Sequence, residues 1–120
     1  MKKNFRTLFA LLAIALLSPN LVFARPLTED AALNLLLRKL EHDHVYAKRI
    51  SLDCVSFETE ETTRIYFEVA VREKHNAKCG GDPETSPVID RYRVNRASGK
   101  IEWNDAVNDT WLPYDAAKIH

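Results

Sequence analysis

The 120-residue chain has only two cysteines, no apolar run near the roughly twenty residues that a membrane-spanning helix needs, and no excess of charge of either sign. Each shortage excludes something. Cys54 and Cys79 lack the C-x-x-C spacing of a redox pair, and a thiolate metal site usually adds further Cys or His ligands at short spacing, so both readings fall behind a structural bridge. Leu8 to Leu17 is about half the length of a transmembrane segment, and no later stretch comes closer. No basic excess is present to neutralise several phosphates, which makes nucleic acid a poor partner. Neither G-x-S-x-G nor H-E-x-x-H occurs, nor a comparable catalytic pattern, and there is no internal repeat, low-complexity run or linker.

What is present at the start of the chain is a pattern of export. Lys2, Lys3 and Arg6 precede the apolar run, and Val22-Phe23-Ala24 offers small side chains at the two positions a signal peptidase reads. This is a secretory signal with cleavage expected after Ala24. A buried core helix or an uncleaved anchor is the alternative. Ser18 to Ala24 holds no cysteine for acylation. The leader carries three of the basic residues and none of the acidic ones, leaving residues 25–120 as one small domain of formal charge −3. In an oxidising compartment Cys54 and Cys79 are expected to bond to each other and close a loop of about 26 residues, contributing roughly 3 to 4 kcal/mol on a chain-entropy argument.

Thr28, followed by Glu29 and Asp30, signals a helix start, and Leu33, Leu36, Leu37 and Leu40 form one apolar stripe suited to covering a sheet. From Ile50 the period shortens to two. The expected strands are Ile50 to Phe57, then Ile65 to Arg72 as the clearest, Val88 to Asn95, and Ile101 to Asn104. Glu58 to Thr63 reads as a hairpin connection, Ala97-Ser98-Gly99-Lys100 as a tight turn, and Asp105 to His120 as an irregular tail or short terminal helix. The expected fold is α+β, an N-terminal amphipathic helix on a four-stranded antiparallel meander with one disulfide.

The longest connection, His75 to Pro87, combines Gly80-Gly81 for a sharp reversal, Pro83 and Pro87 for stiffness, and Cys79 as a tether. A loop held in one shape suits protein recognition, because little conformational entropy remains to be lost on binding. The competing view is that these residues only fix a long connection. Cys79-Gly80-Gly81-Asp82-Pro83 with Thr85, Pro87, Asp90, Arg91, Arg93 and Val94 resembles a pattern in small exported proteins of Gram-negative bacteria, which implies a periplasmic or secreted module rather than a reaction. The helix followed by a meander is similar to PepSY-type and cystatin-like domains, and exported lysozyme inhibitors share the small disulfide-bonded format. Architecture of this kind does not fix function.

Arg91, Arg93 and Arg96 cluster, but Glu84, Asp90 and Glu102 lie close in sequence, as on a solvated strand face. Tyr66, Tyr92, Trp103, Trp111 and Tyr114 are expected mainly as core or edge cover, and two or three of them exposed beside the Cys79 loop would form a binding hot spot. His42-Asp43-His44, with His75 and His120 as possible additions, is the most metal-like cluster. On a helix, however, side chains two apart point about 200° from each other. The expectation is therefore a periplasmic or secreted binding protein of inhibitor or immunity type. It is not an enzyme and has no cofactor, no nucleic-acid partner and no stable membrane insertion of the mature chain, and it contacts another protein through Gly80, Gly81, Asp82, Pro83 and Arg91. The alternatives are a small-ligand or metal-binding envelope module around His42, Asp43 and His44, and a structural or stress accessory domain without a fixed ligand.

Overall fold

The computed structural model describes residues 25–119, so the expected leader and His120 lie outside the described residues. The chain folds as helix α1 (Glu29–His42), a 3₁₀ turn (Leu52–Cys54), and strands β1 (Val55–Thr62), β2 (Tyr66–Glu73), β3 (Val88–Asn95), β4 (Ile101–Asp105) and β5 (Thr110–Pro113), ending in a 3₁₀ turn (Ala116–Lys118). The strands pair antiparallel in the order β1-β2-β3-β4-β5. The fold is α+β with one disulfide.

The expected count of four strands is corrected to five. Thr110–Pro113 pairs with β4, Trp103 opposite Leu112 and Asn104 opposite Trp111, where the sequence suggests an irregular tail or a short terminal helix, and only Ala116–Lys118 forms a single 3₁₀ turn. Its reversal is built by Asp105, whose Oδ1 accepts from the amides of Val107 and Asn108, and by Asp109, which takes a positive φ of 51°. The first strand is also displaced. It begins at Val55, and the polar run read as a connection is most of β1. An edge strand with one solvated face needs few apolar residues, so Glu58 and Glu60 look like loop when only apolar alternation is counted. The register slips at a bulge between Thr59 and Glu61.

Helix α1 begins where Thr28 caps it, its side-chain oxygen accepting from Ala31 N at 3.2 Å, with Glu29 and Asp30 in the first turn. Its buried line is Ala32, Leu36 and Leu40, while Leu37 is only half-buried. The stripe is thus rotated from the leucine pattern, because small Ala32 takes a central place against the sheet. That line joins Phe67, Val69 and Val71 of β2 and Tyr92 and Val94 of β3 in one core, with Val45, Tyr46, Val55 and Ile119. Burial of these side chains supplies the main stabilisation, at roughly 25 cal/mol per Å² of apolar surface.

One carboxylate sits within this face. Asp90 is buried, and Tyr46 Oη donates to its Oδ2 at 2.7 Å while Trp103 Nε1 donates to its Oδ1 at 3.3 Å. The Tyr92 hydroxyl lies 2.7 Å from Tyr46 Oη and supplies the proton of that bond, since the Tyr46 proton is already given to Asp90. Burial, followed by the neighbouring oxygens, pushes the Tyr46 phenol far above its usual range, and burial does the same to Tyr92, so both remain donors. Tyr46→Phe removes one donor from a buried carboxylate, and the expected loss is about 1–3 kcal/mol. Urea denaturation checks it: the midpoint falls while the slope stays constant, and an unchanged midpoint would contradict this account.

Candidate functional site

Residues 74–87 join β2 to β3, and hydrogen bonds to the end of β2 and to Cys54 clasp the base of this connection. Glu73 N donates to Pro87 O at 2.9 Å, Ser86 Oγ to Glu73 O at 2.8 Å, and Lys74 N to Cys54 O at 2.7 Å. Asn76 folds the first half: its Oδ1 accepts from the amides of Lys78 and Cys79, and its carbonyl from Gly80 N at 2.8 Å. Asp82 folds the second half, its Oδ1 accepting from Glu84 N and its carbonyl from Thr85 N. Cys79 bonds to Cys54, with Cα atoms 5.6 Å apart, so the connection is tied to the 3₁₀ turn just before β1 rather than to a strand.

His75 is the pillar on which the two halves close. Its side chain is 12% exposed, with Nε2 2.8 Å from Glu73 Oε2 and Nδ1 2.8 Å from Asp82 O and 3.1 Å from Thr85 Oγ1. Gly81, at φ +80°, passes so near the ring that a Cβ there would lie 2.6 Å from two of its carbons. The Glu73 carboxylate and then the Asp82 carbonyl raise the imidazole's pKa against an opposing effect of burial.

Glu73, His75 and Thr85 form the outline of an acid, base and hydroxyl set, yet the hydrogen bonding runs the wrong way for nucleophilic chemistry. A base must offer a lone pair to the hydroxyl, whereas Nδ1 lies nearest a carbonyl oxygen, to which it can only donate. Thr85 Oγ1 itself donates to that same carbonyl, at 3.1 Å. The arrangement holds a ring in place; it does not prime the Thr85 hydroxyl.

Of the residues expected to contact a partner, Gly80, Gly81, Asp82 and Pro83 lie together on the exposed tip of this connection. Arg91 does not. It stands on the face of β3 opposite the helix, 41% exposed, with Nε donating to Glu60 Oε2 at 2.8 Å. The link to the loop is indirect: Glu60 also takes Arg72 at 3.2 Å, and Arg72 Nη1 donates to Ser86 O at 3.0 Å while its Nε pairs with Glu58 at 2.7 Å. Arg91, then Arg72, hold the Glu60 carboxyl below its ordinary range. Glu60 and Arg72 were not singled out in the sequence. The signal that could have found them is the charge alternation across β1, β2 and β3, readable only once the register is known.

The aromatic residues do not gather at the loop. Tyr92 is fully buried, and Tyr66 and Trp111 lie on the open sheet face, where they sandwich the Arg93 guanidinium at 4.2 and 4.0 Å from their ring centroids. Tyr114 caps the helix end, donating to Asp43 Oδ2 at 2.8 Å beneath Lys39. Among the described residues, the exposed large apolar side chain at the loop's end of the sheet is instead Val107, 92% exposed in the β4–β5 reversal, since alternate turns of an antiparallel meander fall at the same end.

The His42-Asp43-His44 cluster has a structural explanation. His44 has a φ of 54°, its amide donates to Glu41 O at 3.1 Å, and Val45 N donates to Leu40 O at 3.1 Å. That is a Schellman cap, with His44 in the place usually taken by glycine and buried Val45 and Leu40 supplying the apolar contact. Asp43 is engaged by His42 at 2.9 Å, by Tyr114 and by Lys39, which together lower its carboxyl to about 2. Among the described residues no group of three His, Cys, Asp or Glu side chains is placed to hold a metal ion, and no helix is long and apolar enough to cross a membrane.

The chain matches no known protein family, no curated protein and no solved structure.

Two substitutions test this geometry by thermal denaturation. His44→Gly relieves a left-handed residue with a Cβ and is expected to stabilise by on the order of 1 kcal/mol, an outcome opposite to the loss of a bound ligand. Gly81→Ala is expected to cost clearly more than Gly80→Ala, because both positions need positive φ but only Gly81 has the His75 ring against it. Equal costs would show that the ring is not packed as described.

Proposed function

We propose that the chain is an exported binding protein of inhibitor or immunity type, not an enzyme, which engages another protein through the Cys79 to Pro87 tip. One observation carries this reading. The connection is fixed by a disulfide, by a clasped base, by two side-chain-built turns and by a central histidine, yet the side chains of its tip contribute nothing to the core. A shape so constrained and so exposed loses little entropy when a partner covers it. Gly80, Gly81, Asp82 and Pro83 form the contact, with Glu84 beside them. Val107 offers an apolar anchor at the same end, and Arg91 braces the loop from the open face through Glu60 and Arg72. The disulfide accords with a periplasmic or secreted location, where such bonds persist.

The test uses the oxidised protein of residues 25–120, immobilised and exposed to an envelope extract, with stoichiometric titration against cell-wall hydrolases and against whatever is retained. Saturable capture accompanied by inhibition, abolished by Asp82→Arg together with Glu84→Arg and weakened at least tenfold by Val107→Asp, is the expected result. Capture indifferent to both changes, or none at all, would defeat the proposal.

A further inference from the structure

We propose that His75 is a proton-operated latch for residues 74–87, closing the loop when the ring is an imidazolium and loosening it when the ring is neutral. The ordering stands on geometry alone; only its consequence for partner affinity rests on the binding role proposed above.

An imidazolium has two N–H groups, and both find acceptors here: Nε2–H meets the Glu73 carboxylate and Nδ1–H meets the Asp82 carbonyl, each at 2.8 Å. A neutral ring has one N–H and one lone pair. In one tautomer the lone pair faces a carboxylate oxygen. In the other it faces the Asp82 carbonyl, and the nearby Thr85 hydroxyl can relieve this only by turning from that carbonyl to Nδ1. Neither tautomer keeps all three contacts, and the ring cannot move aside, because Gly81 lies against it and the side chain is nearly covered. Loss of the proton therefore costs either the tie between the loop's central ring and Glu73 of β2 or the tie between that ring and the Asp82 carbonyl, and each is a restraint on the loop.

The charged groups acting on the ring are Glu73 at the end of β2 and Asp82 within the loop. Arg72 is committed to Glu58, Glu60 and Ser86 O, and on the disulfide side Lys78 lies 4.0 Å from Asp53, an exposed pair. Nothing in this set favours the neutral ring except burial. Because the folded pKa is raised above the ordinary 6.5, the latch contributes its full stabilisation below that value and loses it as pH rises through the folded pKa.

The experiment follows the histidine ring signals by NMR from pH 5 to 9 in the oxidised protein. Hydrogen exchange at the amides of Gly80, Glu84 and Thr85 is measured over the same range, corrected for the intrinsic pH dependence of exchange. The expected result is a His75 midpoint above 6.5, a severalfold fall in protection at the three amides across that midpoint, and flat, low protection in His75→Gln. A midpoint at or below 6.5, or protection that ignores the titration, overturns the latch. The two proposals separate cleanly. Titrating protection in a protein that captures no partner supports the latch and removes the binding role. Flat protection in a protein that does capture one removes the latch and leaves binding intact.

Discussion

A carboxylate placed on the apolar face of a sheet must be supplied with hydrogen bonds by the chain that buries it, and the rest of the structure is arranged around that requirement at Asp90. Among its donors are Tyr46 after the helix and Trp103 on β4, and Tyr92, next but one on β3, acts through Tyr46. The segment that leaves α1 is thereby fixed over β3, and the helix with it. Apolar contacts between Leu36, Leu40 and the sheet tolerate sliding, whereas a pair of 2.7 Å bonds to one tyrosine oxygen does not. Apolar burial drives the two layers together; this polar chain determines where they stop.

The opposite face obeys a different rule. Arg72, Arg91 and Arg93 are interleaved with Glu58, Glu60 and Glu68, and Ala70, flanked across the sheet by Glu58 and Arg91, is fully buried among them. Single exposed ion pairs contribute little. Here one carboxylate serves two guanidiniums, and one of those reaches a loop carbonyl, so the face acts as a brace from mid-sheet to the base of residues 74–87. With the disulfide on one side and this brace on the other, the loop is restrained at both margins.

The strands with alternating apolar residues, β2 and β3, were legible because both their faces announce themselves: Phe67, Val69 and Val71 against Glu68 and Arg72. β1 ends later than its sequence suggests because its alternation loses hydropathy contrast after Phe57, where Thr59 stands on the inner face between glutamates. β5 was missed because four residues cannot establish a period, and its pairing depends on a reversal whose key residue, Asp105, works through backbone amides. The disulfide followed from cysteine number and expected compartment. At the loop, Gly80, Gly81, Asp82 and Pro83 were readable as special backbone, but the function of His75 was not. It requires knowing that Glu73, Asp82 and Thr85 converge on one ring, and that fact belongs to the fold rather than to spacing. His44 shows the converse, a residue whose type and spacing resemble a ligand's and which serves as a helix terminator.

The bulge between Thr59 and Glu61 has a consequence beyond register. β1 is an eight-residue edge whose outward amides and carbonyls would otherwise invite another copy to add a strand. The bulge interrupts that ladder midway, beside the exposed carboxylates of Glu58 and Glu61. The same irregularity, beside a Glu60 turned to Arg72 and Arg91, therefore makes this edge a poorer template for a further strand than a straight ladder would be.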